Sequence, residues 1–274
     1  MKNLISGKTK IIQKHYQGFL NTPTLWEGNT IQKLEQFEVF SSSHKINIQI
    51  DNTLRLGKYV ERLVSFQLSQ QQNITVLAEN IQIQKDKLTL GELDCLLLKD
   101  GQPIHLEIIY KFYLYDPLVG TTEIDHFIGP NRKDSLIQKL TKLKEKQLPL
   151  LYSDACKPYL ENLNLNVETI RQQVYFKAQL FLPFTNRTIK LLSLNNDCVY
   201  GFYLNPSQLD EFEDCKFYIP TKKDWLVIPH PNVDWINFSQ FTKITKDYMS
   251  QNYSSLFWLK LKNGNIKKVF LVWW

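Results

Sequence analysis

The chain has no CxxC pair. Its four cysteines, Cys95, Cys156, Cys198 and Cys215, stand far apart, and its five histidines show no zinc-binding spacing. A disulfide framework and a structural zinc site are therefore not expected, and the thiols should be reduced. No apolar run approaches the roughly 18 residues that a bilayer-spanning helix requires, which argues against a membrane role. The basic start MKNLISGKTK lacks the apolar stretch of a secretory signal, so the expected location is the cytoplasm. Gly7-Lys8-Thr9 is not a phosphate-binding loop, because the position five before Gly7, where the first glycine is required, is Lys2. Internal repeats and low-complexity tracts are also missing.

What is present describes a folded protein. The 274 residues can bury a full core, and 43% hydrophobic with 22% charged residues excludes disorder as the starting assumption. A net charge of +6, from 33 basic and 27 acidic residues, tolerates a polyanionic partner without requiring one.

Residues 1–50 read as an irregular, polar N-terminal extension, interrupted by Asn21-Thr22-Pro23-Thr24 and Ser41-Ser42-Ser43. Asp51-Asn52-Thr53 offers helix caps ahead of LRLGKYVERLVSFQL, where Leu56, Tyr59, Val60, Leu63 and Phe66 recur at helical spacing. Three strands are predicted next, ITVLAENIQIQ, LTLGELDCLLL and PIHLEIIYKFYLY, followed by a helix from about Asp134 to Gln147 that ends before Pro149. Farther on, VYFKAQLFL, CVYGFYL, KFYIP, WLVIP, LFWLKL and KKVFLVWW read as strands, with Asn263-Gly264 turning the last pair into a hairpin.

Two of the central strands carry ionisable groups where aliphatic ones are expected. Asp100-Gly101 favours a tight two-residue turn, with Lys99 facing Gln102. Carrying that register inward puts Asp94 directly opposite Glu107, with Cβ atoms about 4.5–5.5 Å apart, a like-charge placement that destabilises a sheet. Either one carboxyl is protonated or a cation lies between them, and a divalent ion held by oxygens fits best. Strand alternation puts Lys111 on the face of Glu107, and Glu92 on the face of Asp94. An ion-pair cluster of Glu92 or Glu107 with Lys111 explains these residues as well. Upstream, Gly57 precedes Glu61 by one helical turn and leaves space beside that carboxylate, although a tight helix contact would equally account for a glycine there.

GxxxE on a first helix, an acid on a second strand, and an acid with a lysine on a third, followed by a helix, resembles the PD-(D/E)XK nuclease superfamily over about residues 51–185. LGKYVERLV, LGELDCLL, HLEIIYKFYL and FIGPNRKDSLIQKL together look like an uncharacterised bacterial family placed in that superfamily. The resemblance implies an α/β restriction-endonuclease-like core, a mixed sheet flanked by helices, over residues 51–185, with a β-rich C-terminal extension over 186–274. It implies a Mg2+- or Mn2+-dependent hydrolase of DNA phosphodiesters, with Glu61, Asp94 and Glu107 as metal-binding acids and Lys111 as the catalytic lysine. The superfamily pattern has its lysine two residues after the acid. Here Ile109 takes that slot and Lys111 lies about 6.6–6.8 Å farther along the strand.

Arg132, Lys133, Gln138, Lys139 and Lys142 are candidate contacts to a nucleic-acid backbone, against the plainer reading of a solvated basic face. Tyr110, Phe112, Tyr113 and Tyr115 are assigned to the core, as is His105, which faces Leu96 in the hairpin register. Glu92 is assigned to the surface. The alternative to an enzyme is a catalytically inactive nuclease-fold module that binds nucleic acid or a protein and keeps its acids as ion pairs. Assembly into a homodimer through the aromatic C-terminal half is a third reading.

Overall fold

The computed structural model describes residues 2–28, 30–40 and 44–274, with side chains from Thr9 onward. The predicted break at Ser41-Ser42-Ser43 lies outside the described residues. The chain forms two compact units. The first comprises 1–16, 24–110 and 138–177; the second comprises 17–23, 111–137 and 178–274. Strands β3 (Gln102–Tyr115) and β5 (Arg171–Pro183) run from one unit into the other. The fold is α/β, with a large mixed sheet flanked by helices. Among the described residues no helix is long and apolar enough to cross a membrane.

In the first unit, β1 (Ile74–Lys85), β2 (Leu88–Lys99) and β3 form an antiparallel meander, and β5 follows β3 in the strand order. The three meander strands coincide with the three strand-like runs of the sequence. Asp100 at φ +51° and Gly101 at φ +80° form the left-handed two-residue turn that matches sheet twist, and Lys99 pairs with Gln102 as the dipeptide requires. Against this sheet lies α2 (Leu56–Ser69), which buries Tyr59, Val60, Leu63, Val64, Phe66 and Leu68. Its start departs from expectation. Asp51 spends both carboxylate oxygens on Thr53, at 2.8 Å each, and the helix begins after Arg55 with no side-chain cap.

Residues 1–50 are not irregular throughout, because α1 spans Lys2–Asn21. Ile12, Tyr16, Phe19 and Leu20 recur at helical spacing and are buried, a pattern diluted in the sequence by the lysines and glutamines between them. In the first unit Tyr16 meets Phe66 edge-on at 5.2 Å, and His15 Nδ1 lies 2.7 Å from the Tyr59 hydroxyl.

The predicted helix from Asp134 to Gln147 is α-helical only over Leu136–Lys142 (α3). It loosens into a π turn over Leu143–Gln147 and tightens into a 3-10 turn over Leu148–Tyr152, with Pro149 in that last turn. Pro149 is tolerated because the first N–H groups of a new helical turn have no intrahelical acceptor. A further short helix, α4 (Lys157–Asn162), follows. Leu151, Cys156 and Leu160 from these turns pack on Ile83, Leu93 and Leu96 of the meander.

In the second unit the order β5-β6-β9-β8-β7 holds β6 (Val199–Leu204), β7 (Lys216–Tyr218), β8 (Ser255–Lys260) and β9 (Ile266–Leu271), while the short β4 (Phe127–Ile128) pairs with the end of β3. Ladders β5–β6 and β6–β9 are parallel; β7–β8 and β8–β9 are antiparallel. Asn263-Gly264 does turn β8 into β9, with Gly264 at φ +83°. WLVIP is not a strand. Asp224–Leu226 forms a single 3-10 turn, and Trp225, Leu226 and Val227 are buried as a loop plug. Five apolar or proline residues signal burial equally well whether the backbone is extended or turned. The helix α5 (Phe238–Ser250) was also not foreseen, although Asn237 and Gln240 close a capping box at its start.

Candidate functional site

The site is built in the first unit, where α2 faces the meander. The β2–β3 ladder runs from Lys99 and Gln102 to Cys95 and Leu106. One step further in the same register lie Asp94 and Glu107. There the ladder gives way to a side chain, and the backbone N–H of Ile108 donates to Asp94 Oδ2 at 2.9 Å. Burial pushes the Asp94 carboxyl up to about 7, and the charges of Glu107 and Glu61 add to the rise, while the Ile108 N–H and Lys58 oppose it.

Glu61, Glu92 and Asp94 each offer one oxygen, and these atoms lie within 4.8 Å of one another. Glu61 comes from α2 and the other two from β2, where residues two apart share a face. Burial raises Glu61 above the ordinary glutamate value. Lys58 pulls it back, and Glu92 and Glu107 push in the same direction as burial. Hard carboxylate oxygens this close suit Mg2+ or Mn2+, whose charge would offset their repulsion.

A protein cation already stands among them. Lys58 Nζ donates to Glu61 Oε2 at 2.8 Å, to Asn80 Oδ1 at 2.8 Å and to Glu92 Oε1. Burial depresses the Lys58 amine, but its bonds to the two glutamates outweigh that, so its pKa lies above the usual lysine value. Asn80 sits in the middle of β1 at φ +54°, a left-handed conformation uncommon for a residue other than glycine. That conformation accompanies a side chain turned to the ammonium. Gly57, one turn before Glu61, has nothing within 4 Å of where a Cβ would be. Close helix packing therefore does not account for this glycine, and the space where its side chain would stand is open.

Glu107 is fully buried and is held on both sides. Gln147 Nε2 donates to its Oε2, and His105 Nε2 lies 3.2 Å from its Oε1. Gln172 Nε2 is 3.1 Å from His105 Nδ1, so Nδ1 accepts and the imidazole proton resides on Nε2, facing Glu107. Lys139 Nζ donates to Gln147 Oε1 at 2.7 Å and extends the chain of bonds. The structure thus brings Glu61, Asp94 and Glu107 into one electrostatic neighbourhood and adds Glu92.

Of the remaining sequence candidates, Lys111 and Arg132 have other partners. Lys111 belongs to the second unit, where its ammonium lies 2.6 Å from Asp134 Oδ2. Arg132, also there, donates to the buried Asp116 at 2.7 Å and stacks over Trp274 at 4.2 Å. Lys142 closes α3, and Lys133 precedes that helix. Lys58, Glu92, Asn80 and Gln147 were not singled out as functional from the sequence. The Lys58–Glu61 pair at i, i+3 was the available signal, since such residues are neighbours on a helix surface.

Fold and site together define an α/β protein with a carboxylate cluster between a helix and an antiparallel meander. The chain matches the family described as Domain of unknown function (DUF1853) over residues 8–272, and it belongs to that family. No curated protein and no solved structure matches it.

Proposed function

We propose that this protein hydrolyses phosphodiester bonds of DNA with the help of Mg2+ or Mn2+, on a nuclease-like core of the PD-(D/E)XK type. The observation that carries the reading is the meeting of Glu61, Glu92 and Asp94, one oxygen from each within 4.8 Å of the others. Those three residues would hold the divalent ion, which when bound supplies a polarised phosphoryl oxygen and a water of lowered pKa. Asp94 is fixed by the Ile108 N–H, and Glu107 is pinned by His105 and Gln147. In the reaction a water oxygen forms the new bond to phosphorus, one ester P–O bond breaks, and the departing oxygen takes a proton. The acids here accept the proton that water loses.

The direct experiment incubates purified protein with Mn2+ and linear, circular and single-stranded DNA, with RNA alongside. Cleavage that needs the ion and is lost in Asp94→Asn supports the reading. Intact substrates together with no Mn2+ binding overturn it.

One observation favours a second reading, a non-catalytic module of the same fold that binds nucleic acid or a protein. Lys58 already neutralises two of the three acids, and Lys111 is occupied by Asp134. Under this reading neither wild type nor Asp94→Asn takes up Mn2+ in calorimetry.

A further inference from the structure

We infer that Lys58, not Lys111, is the amine of this site: it holds the acids together while no divalent ion is bound, and it turns to the substrate phosphate when one is. The inference rests on the metal-dependent reading above and assigns a role that the strand motif gives to a different residue.

The geometry is specific to Lys58. Its ammonium touches Glu61 and Glu92, two of the three carboxylates that would hold the ion, and its third proton is taken by Asn80 Oδ1. Three acceptors match the three donors of an ammonium, so in this state the amine is fully satisfied. A divalent ion shared by Glu61, Glu92 and Asp94 would draw on two of the carboxylates that now hold the ammonium, and its charge would repel the Lys58 Nζ. The displaced ammonium has somewhere to go. The Lys58 side chain is 42% exposed, and the neighbouring Gly57 has nothing within 4 Å of its missing Cβ, so the space beside the helix turn is open to a ligand. An anionic phosphate entering that space is the natural acceptor for the freed charge. Asn80 marks the other end of the swing, because its left-handed backbone in the middle of β1 serves the amine position seen here. Lys111 has no comparable arrangement, since its ammonium is bonded to Asp134 in the second unit.

The test uses the full chain with Lys58→Met, Lys58→Arg and Lys111→Met, and two readouts. In calorimetry, Lys58→Met should bind Mn2+ about tenfold more tightly than wild type, because the competing cation is gone; neighbours of metal ligands commonly shift affinity by about 10–100-fold. In Mn2+-dependent DNA cleavage, Lys58→Met should lose about 10²-fold in kcat with KM little changed, as for loss of one group that meets transition-state charge. Lys58→Arg should recover part of that rate, and Lys111→Met should lose less than Lys58→Met. A Lys58→Met variant with wild-type cleavage and unaltered Mn2+ affinity overturns the inference while leaving the nuclease reading intact. So does a Lys111→Met loss as large as that of Lys58→Met. Wild type that neither cleaves nor binds Mn2+ overturns both. Thermal melts of each variant without metal identify any that fail to fold, and where Lys58→Met does, the second neutral variant, Lys58→Gln, decides: tighter Mn2+ binding with slowed cleavage supports the inference, and wild-type cleavage with unaltered Mn2+ affinity overturns it.

Discussion

The backbone N–H of Ile108 donates to the Asp94 carboxylate at 2.9 Å, so a side chain takes over where the β2–β3 ladder ends. Two opposed contributions meet in that bond. It satisfies a backbone donor, and it fixes a negative charge beside Glu107. Asp94→Asn keeps an acceptor for Ile108 and removes the charge, whereas Asp94→Ala removes both. In urea denaturation without metal, Asp94→Asn should be at least as stable as wild type. Asp94→Ala should be less stable than Asp94→Asn by about 1 kcal/mol, the usual net value of one hydrogen bond. An Asp94→Asn variant less stable than wild type would show that the charge itself stabilises the hairpin.

Gly57 sits in a helix with nothing within 4 Å of its missing Cβ. Alanine there should stabilise the protein by roughly 1 kcal/mol through helix propensity alone. If the open space admits a phosphate, the same substitution should weaken DNA binding, measured by fluorescence anisotropy in Ca2+. Higher stability with unchanged binding would place the ligand elsewhere.

Gly18 is the opposite case. In the second unit a Cβ built on it would lie 1.9 Å from the carbonyl oxygen of Leu226, and a backbone atom cannot step aside as a side chain can. Gly18→Ala should therefore destabilise by about 1–3 kcal/mol, the range for overpacking. A thermal melt equal to that of wild type would mean that the 224–227 turn moves freely.

Lys268 supplies the pH dependence. Its amine is buried beside Gln179 Oε1 at 2.9 Å and the carbonyl of Trp225 at 2.6 Å, with no carboxylate bonded to it among the described residues, and burial lowers its pKa to about 7. Between about 7 and the ordinary lysine value of 10.5 the unfolded chain holds a proton that the folded chain does not. Stability should therefore rise with pH across that window and be flat below it. Lys268→Met should remove this part of the slope, so the difference in unfolding free energy between variant and wild type narrows as pH increases from 7 to 10. A difference independent of pH would show that the amine stays charged in the folded protein.

Much of the meander was legible because its signals are local. The turn segments Lys85-Asp86-Lys87 and Lys99-Asp100-Gly101-Gln102 delimited β1, β2 and β3, and Asp100-Gly101 fixed the register from Lys99 and Gln102 to Cys95 and Leu106. The site was less legible. Glu92 reads as an exposed acid along β2, and only the approach of α2 puts it beside Glu61. Lys58 reads as a spacer in GxxxE until its side chain finds Asn80 on a strand 22 residues away in sequence. Lys111 shares the strand face of Glu107 by alternation, yet its partner Asp134 comes from the segment ahead of α3, which no strand periodicity specifies. WLVIP and α5 show the same limit from the other side. Apolar composition announced burial at Trp225 but not its backbone shape, and the Asn237–Gln240 box was a local helix-start signal that the sequence reading did not use.

The central claim is that Glu61, Glu92 and Asp94 together bind one divalent ion. Calorimetric titration of Mn2+ into wild type and Glu92→Gln tests it most directly, because Glu92 enters the site through the structure and not through the motif. One ion per chain, with affinity reduced at least about tenfold in the variant, is the predicted result. Equal affinities in the two proteins, or no uptake by wild type, would contradict it.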